Sequence, residues 1–97
     1  MKWLLVIRPR AQADLAKARD RYDKVRPELG DDFLDEIGAA LERIEEDPER
    51  PLLYHRGFRR VIPRRFPYKI FYRVEGDRVI VFRVLHGHQD HPRRLHE

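Results

Sequence analysis

The chain has 97 residues, no cysteine, 41% apolar and 39% charged side chains and a formal net charge of +4. That length excludes a second domain, the lack of thiols excludes disulfides and thiolate metal sites, and no apolar run approaches the roughly 18 residues needed to cross a bilayer, so one cytoplasmic domain over residues 1–97 is expected. Charge is uneven: residues 1–50 carry ten Lys/Arg against thirteen Asp/Glu, residues 51–97 eleven against four with all five histidines, so the second half is the expected contact for an anionic partner.

The opening MKWLLVI has an apolar run only from Trp3 to Ile7 before Arg8-Pro9-Arg10, too short for a signal sequence, and reads as a strand with Trp3 at a sheet edge or a contact between copies. After Pro9, which suits a helix's first turn, Leu15, Ala18, Tyr22 and Val25 recur at helical spacing with Asp, Lys and Arg between them. The RPELGDD segment breaks this helix at Pro27 and Gly30, and Asp31 or Asp32 is the expected cap of the next, with Asp35 and Glu36 favouring its positive end. Phe33, Ile37, Leu41 and Ile44 then form a second stripe that runs out before Pro48. Two amphipathic helices joined by a short turn predict an antiparallel hairpin whose stripes need an apolar surface to cover.

FRRVIPRRF, YKIFYRV and RVIVFRVLH supply that surface as three strands, the last two joined by a tight turn at Glu75-Gly76-Asp77. Pro63 sends the first of them to a sheet edge or a bulge, whereas the last, apolar from Val79 to Leu85, reads as buried on both faces. Tyr68, Ile70, Tyr72 and Val74 share one face of the middle strand and belong under the helices. The opposite face is expected to be concave and to display Lys69, Arg73 and Arg83 beside Phe71; which of Arg59, Arg60, Arg64 and Arg65 join them depends on the geometry at Pro63.

The run HGHQDH, His86 to His91, has the spelling of the zinc-binding motif of the metallo-β-lactamase fold. That fold needs a much longer chain with further ligands downstream, and here only six residues follow His91. The expectation is therefore no metal and no cofactor, with His86 bonded locally at a strand end, Asp90 turning the tail, and His88 and His91 exposed.

Taken together, RAQADLAKARDRYD, PELGDDFLDEIGAALERIEEDP, RRFPYKIFYRVEGDRVIVFRVLHG and QDHPRRL resemble the RelE/ParE superfamily of small bacterial toxins from type II toxin-antitoxin modules. The A-x-x-D-L helix start, the L-G-x-x-F second helix, F-P-Y-x-I-x-Y and the terminal V-L-H run carry the resemblance, which spans essentially the whole chain. It implies an α+β fold of order βααβββ, with an N-terminal strand and a helical hairpin packed on a small, mostly antiparallel twisted sheet. It also implies growth arrest by the free toxin and neutralisation by a cognate antitoxin. An acidic, partly disordered chain that folds on the basic face, adding a helix or an edge strand, suits that role.

Two activities occur in the superfamily. Relatives resembling RelE cleave messenger RNA on the ribosome with basic side chains, and in this chain the resemblance would assign that work to Lys69, Arg73 and His88. Relatives resembling ParE inhibit DNA gyrase without such a set. The arginine-bearing turn that often follows the last strand is here His88-Gln89, and an imidazole lacks the guanidinium's fixed fork for phosphate. This favours the ParE branch and a non-enzymatic plasmid-stabilization toxin, with a toxin-fold interaction module lacking activity as a further alternative. Target or antitoxin contacts are expected at Arg60, Arg64, Lys69, Arg73, Arg83, His86, His88, Arg93 and Arg94, in a toxin homodimer or a toxin-antitoxin hetero-oligomer.

Overall fold

The computed structural model describes residues 3–87 and 91–95. The elements run β1 (Leu4–Ile7), α1 (Pro9–Val25), α2 (Leu29–Glu46), β2 (Arg59–Val61), β3 (Tyr68–Glu75), β4 (Arg78–His86) and a last short helix α3 (His91–Arg94). The four strands form one sheet in the order β1-β4-β3-β2. β2 with β3 and β3 with β4 are antiparallel, while β1 lies parallel to β4, so the fold is the expected α+β arrangement with a mostly antiparallel sheet. Gly76 and Asp77 close the β3–β4 hairpin, with Gly76 at φ +62, the left-handed conformation a two-residue turn demands there.

α1 starts at Pro9 as expected, and Gln12 Nε2 donates to the Ile7 carbonyl at 2.9 Å where the strand runs into the helix. Ala11 and Ala18 are buried, and Leu15 and Tyr22 pack against the core, but Val25 is 73% exposed. As the last residue of α1, Val25 lies where the chain leaves the hairpin at Arg26, so the stripe ends one turn before the helix does.

The start of α2 differs from expectation. Leu29 is already helical, preceded by Glu28 in the left-handed region at φ 72 without a side-chain cap. Asp31 and Asp32 sit inside the first turn, where they favour the positive helix end but cap nothing. The orphan amide of Gly30 is instead satisfied across the hairpin by Asp23 Oδ1 of α1, at 2.8 Å. A side chain cannot replace the Gly30 hydrogen, because a Cβ there would lie 2.5 Å from that carboxylate oxygen and 2.7 Å from the Arg19 carbonyl.

Between helices and sheet, Phe33, Ile37, Ala40 and Ile44 of α2 meet Tyr68, Ile70 and Tyr72 of β3 and Val79, Val81 and Val84 of β4. At its centre Phe33 stands 5.3 Å from Phe66, 5.2 Å from Tyr68 and 5.3 Å from Tyr22 between ring centroids, mostly edge-on as ring quadrupoles prefer. Tyr72 is fully buried, and its hydroxyl donates to the Pro48 carbonyl at 2.7 Å, tying β3 to the end of α2. Burial raises the pKa of this phenol to about 12.

Candidate functional site

The sheet face away from the helices carries Lys69, Phe71 and Arg73 of β3, as the two-residue period requires, but it is not an open hollow. A second apolar cluster fills much of it: Phe58, Phe71, Leu85 and Leu95 are buried together, with Tyr54 and Phe82 at the margin. The segment after α2 and the C-terminal turn have thus folded over a face expected to be bare.

The arginines of this face are largely engaged. The Arg73 guanidinium lies 4.2 Å from the Phe58 ring centroid and 5.5 Å from that of Phe82, and Nη2 donates to the Arg56 carbonyl at 2.7 Å. That bond pins a tight turn in which Arg56 (φ 46) and Gly57 (φ 83) are both left-handed, between His55 and Phe58, which pair as a bridge. Arg73 Nε is buried without a hydrogen-bond partner among the described residues, and a Cβ at Gly57 would lie 3.7 Å from it. Arg60 lies over Tyr54 at 4.0 Å and Arg8 over Phe82 at 4.4 Å, so each ring at the margin already holds a cation.

Lys69 is different. It is half-buried and pairs in register with Leu85, and its side chain makes no hydrogen bond or ion pair among the described residues.

Arg83 is fully engaged within the fold. It is 7% exposed and grips Asp14 of α1 with both arms, Nε to Oδ2 at 2.8 Å and Nη2 to Oδ1 at 2.9 Å, while Nη1 donates to the Arg94 carbonyl at 3.1 Å. Asp14 Oδ2 also accepts the Val84 amide at 2.9 Å. β1 pairs with β4 only as far as Val81, so beyond that point the Asp14 carboxylate does for the strand edge what a neighbouring strand would do. An irregularity fixes the position of Arg83: Phe71 pairs with Arg83 but Tyr72 with Val81, which leaves Phe82 as an extra residue and, by breaking the alternation, puts Arg83 opposite Phe71.

The remaining expected contacts are scattered. Arg60 opposite Phe71 shares the far face, whereas Arg59 opposite Tyr72 turns the other way to the Glu49 and Pro51 carbonyls. Arg64 and Arg65 line a hollow beside Asp32, Asp35 and Glu36 of α2, so they belong with the helices. Arg93 and Arg94 are exposed on α3.

The histidines do not converge as a metal centre. The His86 ring packs edge-on to Tyr68 at 5.2 Å on the helix side of the sheet. His91, expected to be exposed, is 5% exposed; its ring lies 5.0 Å from Phe71 on the far side, and Nε2 bonds the His86 carbonyl at 2.8 Å. His88, Gln89 and Asp90 lie outside the described residues, among which no group of three or more His, Asp or Glu side chains is placed to hold a metal ion. Likewise, among the described residues no helix is long and apolar enough to cross a membrane.

Asp14 is the site residue that pattern reading passed over. Its only sequence signal is its place in the A-x-x-D-L start of α1, because its partner stands 69 positions away.

Comparison with known proteins agrees with this architecture. The family described as ParE toxin of type II toxin-antitoxin system, parDE, matches residues 5–91. A solved structure titled chromosomal ParDE TA system from P. aeruginosa superimposes with a TM-score of 0.79 at 20% identity, covering 88% of this chain and 96% of that one. The toxin-antitoxin complex RelBE2 from Mycobacterium tuberculosis superimposes with a TM-score of 0.56 at 22% identity, covering 89% of this chain and 99% of the other. No curated protein matches by sequence.

Proposed function

This chain belongs to the ParE toxin family of type II toxin-antitoxin systems, and from that premise we propose that it arrests growth as a non-enzymatic inhibitor of DNA gyrase and is neutralised by a cognate antitoxin. The observation that carries this reading is the commitment of Arg73, one of the three residues a nuclease would need, together with that of Arg83 in the same basic set. Arg83 is consumed by Asp14, and Arg73 lies over the Phe58 ring with its Nη2 on the Arg56 carbonyl. General acid-base chemistry on a phosphodiester needs such groups aimed together at one reacting centre, and here Arg73 is spent on the fold. The direct test is gyrase supercoiling with purified protein: inhibition at near-stoichiometric protein is expected, and unaffected gyrase at large excess removes the reading.

One observation favours a second reading, a ribosome-dependent messenger RNA endonuclease. Lys69 is uncommitted and falls where the superfamily's nucleases carry a middle-strand arginine. Ribosome-bound messenger RNA cut by the protein, with cutting lost in Lys69→Ala, would decide for it.

The antitoxin we infer is acidic and partly disordered. The sheet ends in two open edges, β1 and β2, and exposed Ile62 follows β2 directly, with exposed Leu52 and Leu53 in the segment leading to it. A chain that adds a strand gains backbone hydrogen bonds there and buries those side chains. Growth restored by co-expression of a neighbouring short reading frame is the expected result; arrest that persists with every neighbouring frame counts against it.

A further inference from the structure

We propose that the cleft between α1 and the C-terminal end of β4 binds a phosphate group carried on a single nucleotide-sized unit. The cleft has a volume of about 330 Å³, lies along the part of β4 that β1 does not pair with, and is not lined by Lys69. Lys17 and Arg21 line it from α1, and Arg94 lines it from α3. Tyr68 and His86, whose rings stand edge to face at 5.2 Å, form part of its wall.

Two of these cations carry charge that the described residues do not neutralise. Lys17 and Arg21 are four positions apart on one helix, a like-charge spacing that destabilises a helix rather than supporting it. The carboxylate lining the cleft, Asp14, is no help, since Oδ1 accepts from Arg83 Nη2 while Oδ2 accepts from both Arg83 Nε and the Val84 amide. Accordingly, neither the Lys17 nor the Arg21 side chain makes a hydrogen bond or ion pair among the described residues. A repulsive pair lining a concave, partly enclosed space, with the carboxylate that lines it already satisfied, is a site suited to an added anion.

Shape selects the class of anion. Cations approach this cleft from two separate elements, α1 and α3. A phosphate offers tetrahedrally arranged oxygens that accept from several directions, whereas a carboxylate's two coplanar oxygens are matched by one guanidinium fork, as Asp14 and Arg83 illustrate. Ala18, Val84 and the Tyr68 ring give the cleft an apolar side suited to a sugar or base. The volume sits at the lower end of the range for small-molecule sites, which fits one nucleotide unit, either free or as one residue of a nucleic acid.

The test is calorimetric titration of the full chain at low ionic strength with a nucleoside 5′-monophosphate, a short single-stranded oligonucleotide and an oligoglutamate peptide. Saturable binding of the phosphate ligands is expected, weakened at least about tenfold by Lys17→Glu/Arg21→Glu and by no more than about threefold by the charge-matched control Lys24→Glu/Arg78→Glu. Should the reversed pair unfold the chain, Lys17→Gln/Arg21→Gln reads the same loss. An oligonucleotide binding well above the mononucleotide identifies the source as a nucleic-acid backbone, and equal binding identifies a free nucleotide. No binding of either, equal loss in both double variants, or binding of oligoglutamate in preference to the phosphate ligands would each overturn the assignment, the last giving the cleft to an acidic protein segment.

Discussion

Arg83 and Asp14 form a two-armed ion pair, at 2.8 and 2.9 Å, that joins the last strand to the first helix. Their side chains are only 9% and 15% exposed, so solvent does little to screen or replace the contact. Removing one partner leaves a buried charge alone, and Asp14→Ala also orphans the Val84 amide. Asp14→Ala and Arg83→Ala are each expected to cost about 3–5 kcal/mol, while a double replacement by apolar residues of similar volume costs much less. Urea unfolding in a double-mutant cycle checks this; single losses that simply add would show the pair to be uncoupled.

Tyr72 sets a pH limit. Its hydroxyl is buried against the Pro48 carbonyl and its pKa is raised from 10.0 to about 12, with desolvation the main cause. Because the folded state holds this proton more tightly than the unfolded state does, the contribution is whole below pH 10 and is lost as pH rises from 10 toward about 12. The loss amounts to about 2–3 kcal/mol. Tyr72→Phe gives up a hydrogen bond worth about 1 kcal/mol near neutrality and flattens the alkaline limb. Thermal unfolding followed across that pH window distinguishes the two proteins; an unchanged alkaline slope in the variant would assign the limb to another group.

How far the residue order revealed this structure depends on where a simple period holds. Tyr68, Ile70 and Tyr72 under the helices, and Lys69, Phe71 and Arg73 opposite, follow from alternation along an unbroken strand. The same rule extended through β4 puts Val79, Val81 and Arg83 on one face, but the extra residue at Phe82 brings Val84 to the helices instead. No short-range pattern announces that irregularity, because it is fixed by pairing with β3. Filling of the far face was illegible for a related reason: Phe58 and Leu95 lie outside the regular strands and long helices, where neither period applies. His91 shares that fate, with spelling that suggested a ligand and a position that makes it packing.

Gly30 is where the helical hairpin closes most tightly. In Gly30→Ala the new Cβ meets Asp23 Oδ1 at 2.5 Å and the Arg19 carbonyl at 2.7 Å, and the second of these is backbone that cannot step aside. The crowding also pushes apart the Asp23 carboxylate and the amide it satisfies. A loss of about 1–3 kcal/mol is expected, although alanine is the better helix former. Gly38, where a Cβ would meet nothing within 4 Å, is the internal control, and Gly38→Ala should be neutral or stabilising. Equal unfolding midpoints for the two variants would mean that the hairpin opens at no cost.

The terminal histidines give the remaining prediction, which separates packing from metal binding. His91 is buried against Phe71 and bonded to the His86 carbonyl, whereas His86 faces Tyr68 across the sheet. Two rings on opposite faces cannot close on one ion without taking the end of β4 apart. Chelator is therefore expected to leave the unfolding temperature unchanged, and added zinc not to raise it. His91→Ala should nevertheless destabilise by about 2–4 kcal/mol, since it opens a cavity beside Phe71 and Leu85 and frees the tail that covers them. A zinc-dependent rise in unfolding temperature that disappears in His91→Ala would show that the imidazoles gather around a metal after all.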